Sequence, residues 1–151
     1  MKEFRHLGVY GILIKNDKIL LIRKGNGPYK GLLDLPGGTI EFDESPKEAL
    51  ERELVEEVGI KLAEYGLIDS DSVSFTWEYN NDLFKVHHIG IFYKIISYSG
   101  EVNNNKKTDE VNDDSMGADF YDIKTLRKEE LSKIVLLELK KSGYIINWWI
   151  L

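Results

Sequence analysis

The apolar positions of this chain change period several times, and each change marks an expected element. Residues Leu7 to Ile14 (LGVYGILI) form a nearly continuous apolar run, and Ile19 to Ile22 (ILLI) form a second. Apolar runs this short, bounded by turn residues, predict strands. Asn16-Asp17 between them is turn chemistry, so the two runs are expected to pair as a β-hairpin. A Gly-rich loop, GNGPYKG, follows Arg23-Lys24, and Leu33-Asp34-Leu35 reads as a short strand entering the turn Pro36-Gly37-Gly38. Past Gly59 the strand character returns. Ile60 to Ile68 is mixed, Ser72 to Tyr79 alternates, and Leu83 to Tyr98 is long and β-rich, with Asn80-Asn81-Asp82 as a hairpin turn between the last two. Alternation puts Val73, Phe75, Trp77 and Tyr79 on one face and Ser74, Thr76 and Glu78 on the other. That aromatic face reads as core packing, with the alternative that Trp77 or Tyr79 borders a pocket and stacks on a base. His87 and His88 fall on opposite faces of their strand and so do not form a paired metal site. Residues 99–114 read as a polar loop, Asp119 to Ile123 as a last strand, and Leu131 to Leu139 as a C-terminal helix whose polar exception is Glu138. The apolar tail YIINWWIL either packs on the domain or forms a self-association surface, which would make a homodimer.

Between these β-rich halves lies one helix-period segment, Gly38 to Ile60 (GTIEFDESPKEALERELVEEVGI). Ser45 is a natural N-cap, Pro46 suits the first helical position, Glu48 completes a capping box, and Gly59 suits the position just past the end. The spacing predicts a helix over Pro46 to Val58. Steps of about 100° place Leu50, Leu54 and Val58 on a core stripe and bring Glu53, Glu56 and Glu57 together on another face. At ~6 Å and an effective dielectric of ~20, each such carboxylate pair costs about 2–3 kcal/mol. The helix dipole favours cations, not acids, so late in a helix. A solvated acidic face is one reading; a hard divalent cation on all-oxygen ligands is the other. Arg23, Lys24 and Lys30 precede this segment, where they can meet phosphate.

Composition narrows the function classes. At 151 residues the chain fits a single domain spanning 1–151 and can bury a core unaided. It has no cysteine, which excludes disulfides, zinc–thiolate sites and cysteine nucleophiles and is compatible with a cytoplasmic location. No apolar run approaches the ~20 residues that span a bilayer, so no membrane partner is expected. A net charge of −6 argues against broad nucleic-acid binding, though not against a small anionic substrate carried with a metal.

Read together, Gly38, Glu44 and Arg52-Glu53-Leu54-Val55-Glu56-Glu57-Val58-Gly59-Ile60 resemble the box of the Nudix (MutT-like) hydrolase family at each defining position: Gly, Glu six residues on, then REUxEExGU, where U is bulky and aliphatic. The preceding Leu35-Pro36-Gly37-Gly38 and Glu41 resemble the family's usual lead-in. Leu33 stands where many members have tryptophan, a packing position. The resemblance implies an α/β/α sandwich around a mixed β-sheet and a small-molecule nucleotide substrate. The reaction implied is hydrolysis of a nucleoside diphosphate linked to another moiety, such as ADP-ribose, or of a nucleoside triphosphate, with Mg²⁺, or Mn²⁺ in its place. It also implies metal ligation by Glu56 and Glu57, joined by Glu53 and a carbonyl of Gly37 or Gly38. Glu53 is the candidate general base, with Glu110, Asp113 or Asp114 of the 99–114 loop as alternatives. Arg52 would orient neighbouring carboxylates, with Glu41 and Glu44 in support. Arg23, Lys30, Trp77 and Tyr79 are the candidate substrate-binding residues. A nucleotide-sensing module without activity, and removal of pyrophosphate from RNA 5′ ends, are the alternative functions.

Overall fold

The apolar runs are unbroken because both faces of their strands are covered. In the computed structural model of the chain, which describes residues 1–103 and 115–144, strand β3 (Lys18–Lys24) sends Ile19 and Leu21 into one core and Leu20 and Ile22 into another. Strand β1 (Lys2–Ile12) divides the same way, with Val9 in the second core and Tyr10 and Ile12 in the first. Successive side chains point to opposite faces, so a strand buried on both needs apolar residues throughout. Helix α1 (Pro46–Val58) closes one core with Ala49, Leu50, Leu54 and Val58. Helix α2 (Lys133–Lys141) closes the other with Ile134, Val135 and Leu139. The layers are helix, strands, helix, as expected.

Two four-stranded sheets form the middle layer. The mixed one has the order β5-β1-β7-β6, where β5 is Gly37–Thr39, β6 Lys61–Tyr79 and β7 Asp82–Ser99. In it β1 and β7 run parallel, from Lys2↔Phe84 to Ile12↔Lys94, and the other pairs are antiparallel. In the second sheet β3 pairs antiparallel with β2 (Ile14–Lys15), β4 (Leu33–Asp34) and β8 (Ser115–Asp122).

The first hairpin is smaller than the sequence suggests. Its turn is where expected, with Asn16 and Asp17 at φ 51° and 62°, but only β2 pairs across it with β3. The rest of the Leu7 to Ile14 run belongs to the mixed sheet, because β7, distant in sequence, offers β1 a ladder far longer than any local partner does. The segments Ile60 to Ile68 and Ser72 to Tyr79 are one strand, β6. Register shifts at Leu62/Glu64, Glu64/Tyr65 and Leu67/Asp69 throw its alternation out of phase, which is why its first half reads as mixed. The expected turn at Asn80-Asn81 is present, at φ 50° and 64°. Helix α2 starts later than expected, capped by Ser132, because Leu131 bridges Leu33 instead of entering the helix. Leu33 itself is buried, as a packing position requires. Glu138 is buried too and pairs with Lys141 at 3.2 Å. The alternative bases Glu110, Asp113 and Asp114 and the tail after Tyr144, with its expected self-association surface, lie outside the described residues. Among those described, no helix is long and apolar enough to cross a membrane.

Candidate active site

Helix α1 has the expected ends. Ser45 accepts from the Glu48 N–H at 3.1 Å while Glu48 accepts from the Ser45 N–H at 3.1 Å, and Gly59 follows the last turn at φ 81°. Such a cap contributes about 1 kcal/mol. Leu50, Leu54 and Val58 are fully buried, which anchors the helix and leaves its carboxylate face turned towards β5.

Arg52 is the hub of that face. Its Nε donates to Glu44 Oε2 at 2.6 Å and an Nη donates to Glu44 Oε1 at 2.9 Å, a forked pair. The same guanidinium reaches Glu53 at 3.0 Å, Glu56 at 3.4 Å and the Thr39 carbonyl at 3.1 Å, with Glu41 at 3.8 Å. Hydrogen bonds from Arg52, then from the Glu41 N–H, hold the Glu44 carboxyl down at about 2. Glu41 and Glu44 thus tie the loop before the helix to Arg52. The carboxylate repulsion expected from the sequence is partly relieved inside the protein, through Glu53 and Glu56.

Glu57 is handled differently. It accepts the Gly37 N–H at 2.8 Å, and its pKa is pushed up by burial and then by the charge of Glu53. Gly38 lies against Glu53 so closely that a Cβ there would sit 2.8 Å from Oε1. Asp34, fully buried on β4, accepts from Ser132 Oγ at 2.7 Å and from the Leu35 N–H at 2.9 Å, yet burial still raises its carboxyl to about 6. Negative charge is therefore concentrated beside Gly37-Gly38, with Lys24 the cation that offsets part of it at both Glu57 and Asp34. Among the described residues no three His, Asp or Glu side chains converge as a ready-made metal cage. The donor set of Glu53, Glu56, Glu57 and the Gly37-Gly38 backbone is all oxygen, the chemistry that a hard divalent cation takes.

Gly37 and Gly38 also line a pocket of about 200 Å³, to which Glu53, Glu56 and Glu57 do not contribute. Lys24 and Asp34 line it together with Tyr10, Tyr29, Phe75 and His88. A lysine and several aromatic side chains thus line a pocket that shares Gly37 and Gly38 with the carboxylate face.

The sequence matches the NUDIX domain model over residues 4–137. The chain belongs to the Nudix hydrolase family. It is 33% identical over 128 residues to the ADP-ribose pyrophosphatase of Methanocaldococcus jannaschii, covering 81% of this chain and 64% of that protein. It is also 32% identical over 78 residues to the 8-oxo-dGTP diphosphatase of Proteus vulgaris, covering 49% and 67%. Among solved structures, the MutT NUDIX hydrolase of Burkholderia pseudomallei superposes with a TM-score of 0.69 at 24% identity, covering 91% of this chain and 97% of that one. The last likeness bears on the fold alone.

In this Nudix chain Arg52 contacts Glu41, Glu44, Glu53 and Glu56, while Glu57 accepts from Gly37 and Glu53 lies against Gly38. The substrate candidates fare unevenly. Arg23 turns back to the Gly31 carbonyl at 2.9 Å, Lys30 is exposed, and neither lines the pocket. Trp77 and Tyr79 stack on each other at 4.9 Å and do not line the pocket, while Phe75 from the same strand face and Phe4, which Trp77 packs against, do. His88 is fully buried and His87 half-buried. Tyr10, Tyr29, Asp34 and His88 were not singled out as site residues. Only a polar residue inside an apolar run marks Asp34 and His88, and nothing local marks the tyrosines.

Proposed function

We propose that this protein hydrolyses a pyrophosphate bond in a nucleoside diphosphate linked to a second moiety, a nucleotide sugar such as ADP-ribose or a nucleoside triphosphate, giving a nucleoside monophosphate and the phosphorylated remainder. The observation that carries this reading is that Gly37 and Gly38 of strand β5 touch the Glu57 and Glu53 carboxylates and also line a pocket with aromatic walls and one lysine. The archaeal relative's name supports the nucleotide-sugar choice.

Glu53, Glu56, Glu57 and a carbonyl of Gly37 or Gly38 would hold the metal, Mg²⁺ or Mn²⁺. When bound, such an ion neutralises pyrophosphate oxygens and acidifies water. The chain's own residues do the rest. Lys24 meets the phosphate nearest the pocket, and the aromatic walls take the nucleoside. Arg52 holds Glu53 and Glu56 through one planar fork, fixing their oxygens relative to Glu44. Glu53 then receives the proton of the attacking water on a carboxylate oxygen. Turnover of a panel of ADP-ribose, other nucleotide sugars, dinucleoside polyphosphates and oxidised nucleoside triphosphates, with Mg²⁺ titrated, tests the reading. Folded protein that turns over none of them refutes it.

A further inference from the structure

His88 poses a problem of hydrogen counting. It is 1% exposed, with Tyr10 Oη 2.6 Å from its Nε2 and Tyr29 Oη 2.8 Å from its Nδ1. Burial, then the neighbouring His6 and Lys24, hold the ring neutral by pushing its pKa down to about 3. A neutral imidazole has one N–H and one lone-pair nitrogen. Two hydroxyls and one N–H therefore bring three hydrogens to two hydrogen bonds. Whichever nitrogen carries the proton, one hydroxyl hydrogen is left over, and neither tyrosine has another hydrogen-bond partner among the described residues.

A buried hydroxyl with no acceptor is costly, so the favoured arrangement is the one that places the surplus hydrogen within reach of an acceptor. Tyr10 is 2% exposed on β1, its ring edge-on to the imidazole and laid over the Gly8 backbone. Tyr29 is 6% exposed and comes from the loop whose Asn26, Gly27 and Pro28 also line the pocket. Tyr10 lines the pocket as well, but Tyr29 is the more exposed of the two and is the one assigned the surplus hydrogen. On that assignment Tyr10 donates to His88 Nε2, His88 Nδ1–H donates to Tyr29 Oη, and the Tyr29 O–H is left for the pocket.

Resting on the reading that this pocket receives the nucleoside, we propose that Tyr29 is a specificity-determining hydrogen-bond donor, positioned by His88, that selects an uncharged heterocycle presenting a ring nitrogen or carbonyl oxygen to it. The pocket's about 200 Å³ falls below the ~300–1,000 Å³ usual for ligand pockets, so it takes one ring system and not a whole dinucleotide. Phe75, stacked on Tyr29 at 5.3 Å, holds the phenol ring in place. A site built to donate discriminates strongly against an analogue lacking the acceptor, because its own hydroxyl is then stranded.

Calorimetric titration of the full chain without metal tests this. The monophosphate bound best among AMP, GMP, UMP and CMP is compared with analogues in which one acceptor at a time, ring nitrogen or carbonyl, is replaced by C–H. One deletion should weaken binding about ten-fold, equivalent to about 1.4 kcal/mol, and Tyr29→Phe should bind that analogue and its parent equally. His88→Gln should pull the same ratio towards one, a readout that a merely structural histidine would not move. The inference is overturned if Tyr29→Phe keeps the wild-type ratios, or if no monophosphate binds a protein that turns over nucleotides. An acceptor-dependent ratio without any turnover would instead sink the hydrolase reading and leave this one standing.

Discussion

Gly37 and Gly38 are adjacent, yet alanine should fail at each for a different reason, and the contrast separates fold from site. At Gly37 φ is 141°, and an added Cβ would fall on the Val9 carbonyl oxygen, with Tyr10 Cα 2.8 Å away. Both are backbone atoms of β1, which the parallel ladder with β7 holds in place, so neither can give way. A strained backbone costs about 1–3 kcal/mol, and overpacking against an unyielding neighbour adds about 1–3 kcal/mol. Gly37→Ala should therefore lose about 2–6 kcal/mol of a domain stability on the order of 5–15 kcal/mol. At Gly38 the backbone is outside the positive-φ region, and the Cβ meets Glu53 Oε1 at 2.8 Å, the far end of a rotatable side chain. The carboxylate moves aside, and stability should fall by less than about 1 kcal/mol. Activity should not be spared, because a displacement on the order of 1 Å at a reacting group costs about 10²-fold. Urea unfolding followed by tryptophan fluorescence reads the first effect, and kcat on the substrate found by the panel reads the second. A parental urea midpoint for Gly37→Ala, or full kcat for Gly38→Ala, would refute the reasoning.

Glu57→Gln keeps an acceptor for the Gly37 N–H but removes a charge that burial and Glu53 both oppose. Metal-free protein should melt at or above the wild-type temperature while turnover and the Mg²⁺-induced rise in melting temperature are lost; a lower metal-free melting point would mean the carboxylate is structural. Asp34, raised from 3.8 to about 6, favours the fold below its unfolded pKa, and that contribution is lost as pH rises through about 6. Asp34→Asn should therefore gain stability relative to wild type between pH 4 and 7, by at most about 3 kcal/mol for two pKa units, and urea midpoints across that range showing no gain above pH 6 would contradict it. Glu44 has the opposite sign: its depressed pKa gives stability present above about 4.5 and lost as pH falls through about 2. The deficit of Glu44→Gln should be largest near neutrality and shrink steadily as pH falls from 4.5 towards 2, and an equal deficit at both ends would mean the loss is not electrostatic.

What the sequence determined by itself was local and periodic. Ser45, Pro46, Glu48 and Gly59 defined helix α1 to the residue, since capping depends only on neighbours within a turn. The 3.6-residue period then separated the core stripe from the face carrying Glu53, Glu56 and Glu57, and the left-handed pairs Asn16-Asp17 and Asn80-Asn81 fixed both turns. The layers of the sandwich came from the resemblance of the box to the Nudix family, and the apolar strands covered on both faces agree with them. Tertiary structure decided whatever depends on residues distant in the chain. It gave β1 to β7 instead of to the nearest run, and it merged two segments into β6 through bulges that leave no local mark. It also turned Arg52 into the partner of Glu44, Glu53 and Glu56 at once, and brought Lys24, not Arg23 or Lys30, to the pocket. The Tyr10–His88–Tyr29 chain joins a strand, a second strand and a loop whose residues share no period. Burial and the hydrogen count there arise only once those three segments pack, which is why no pattern along the sequence could have carried them.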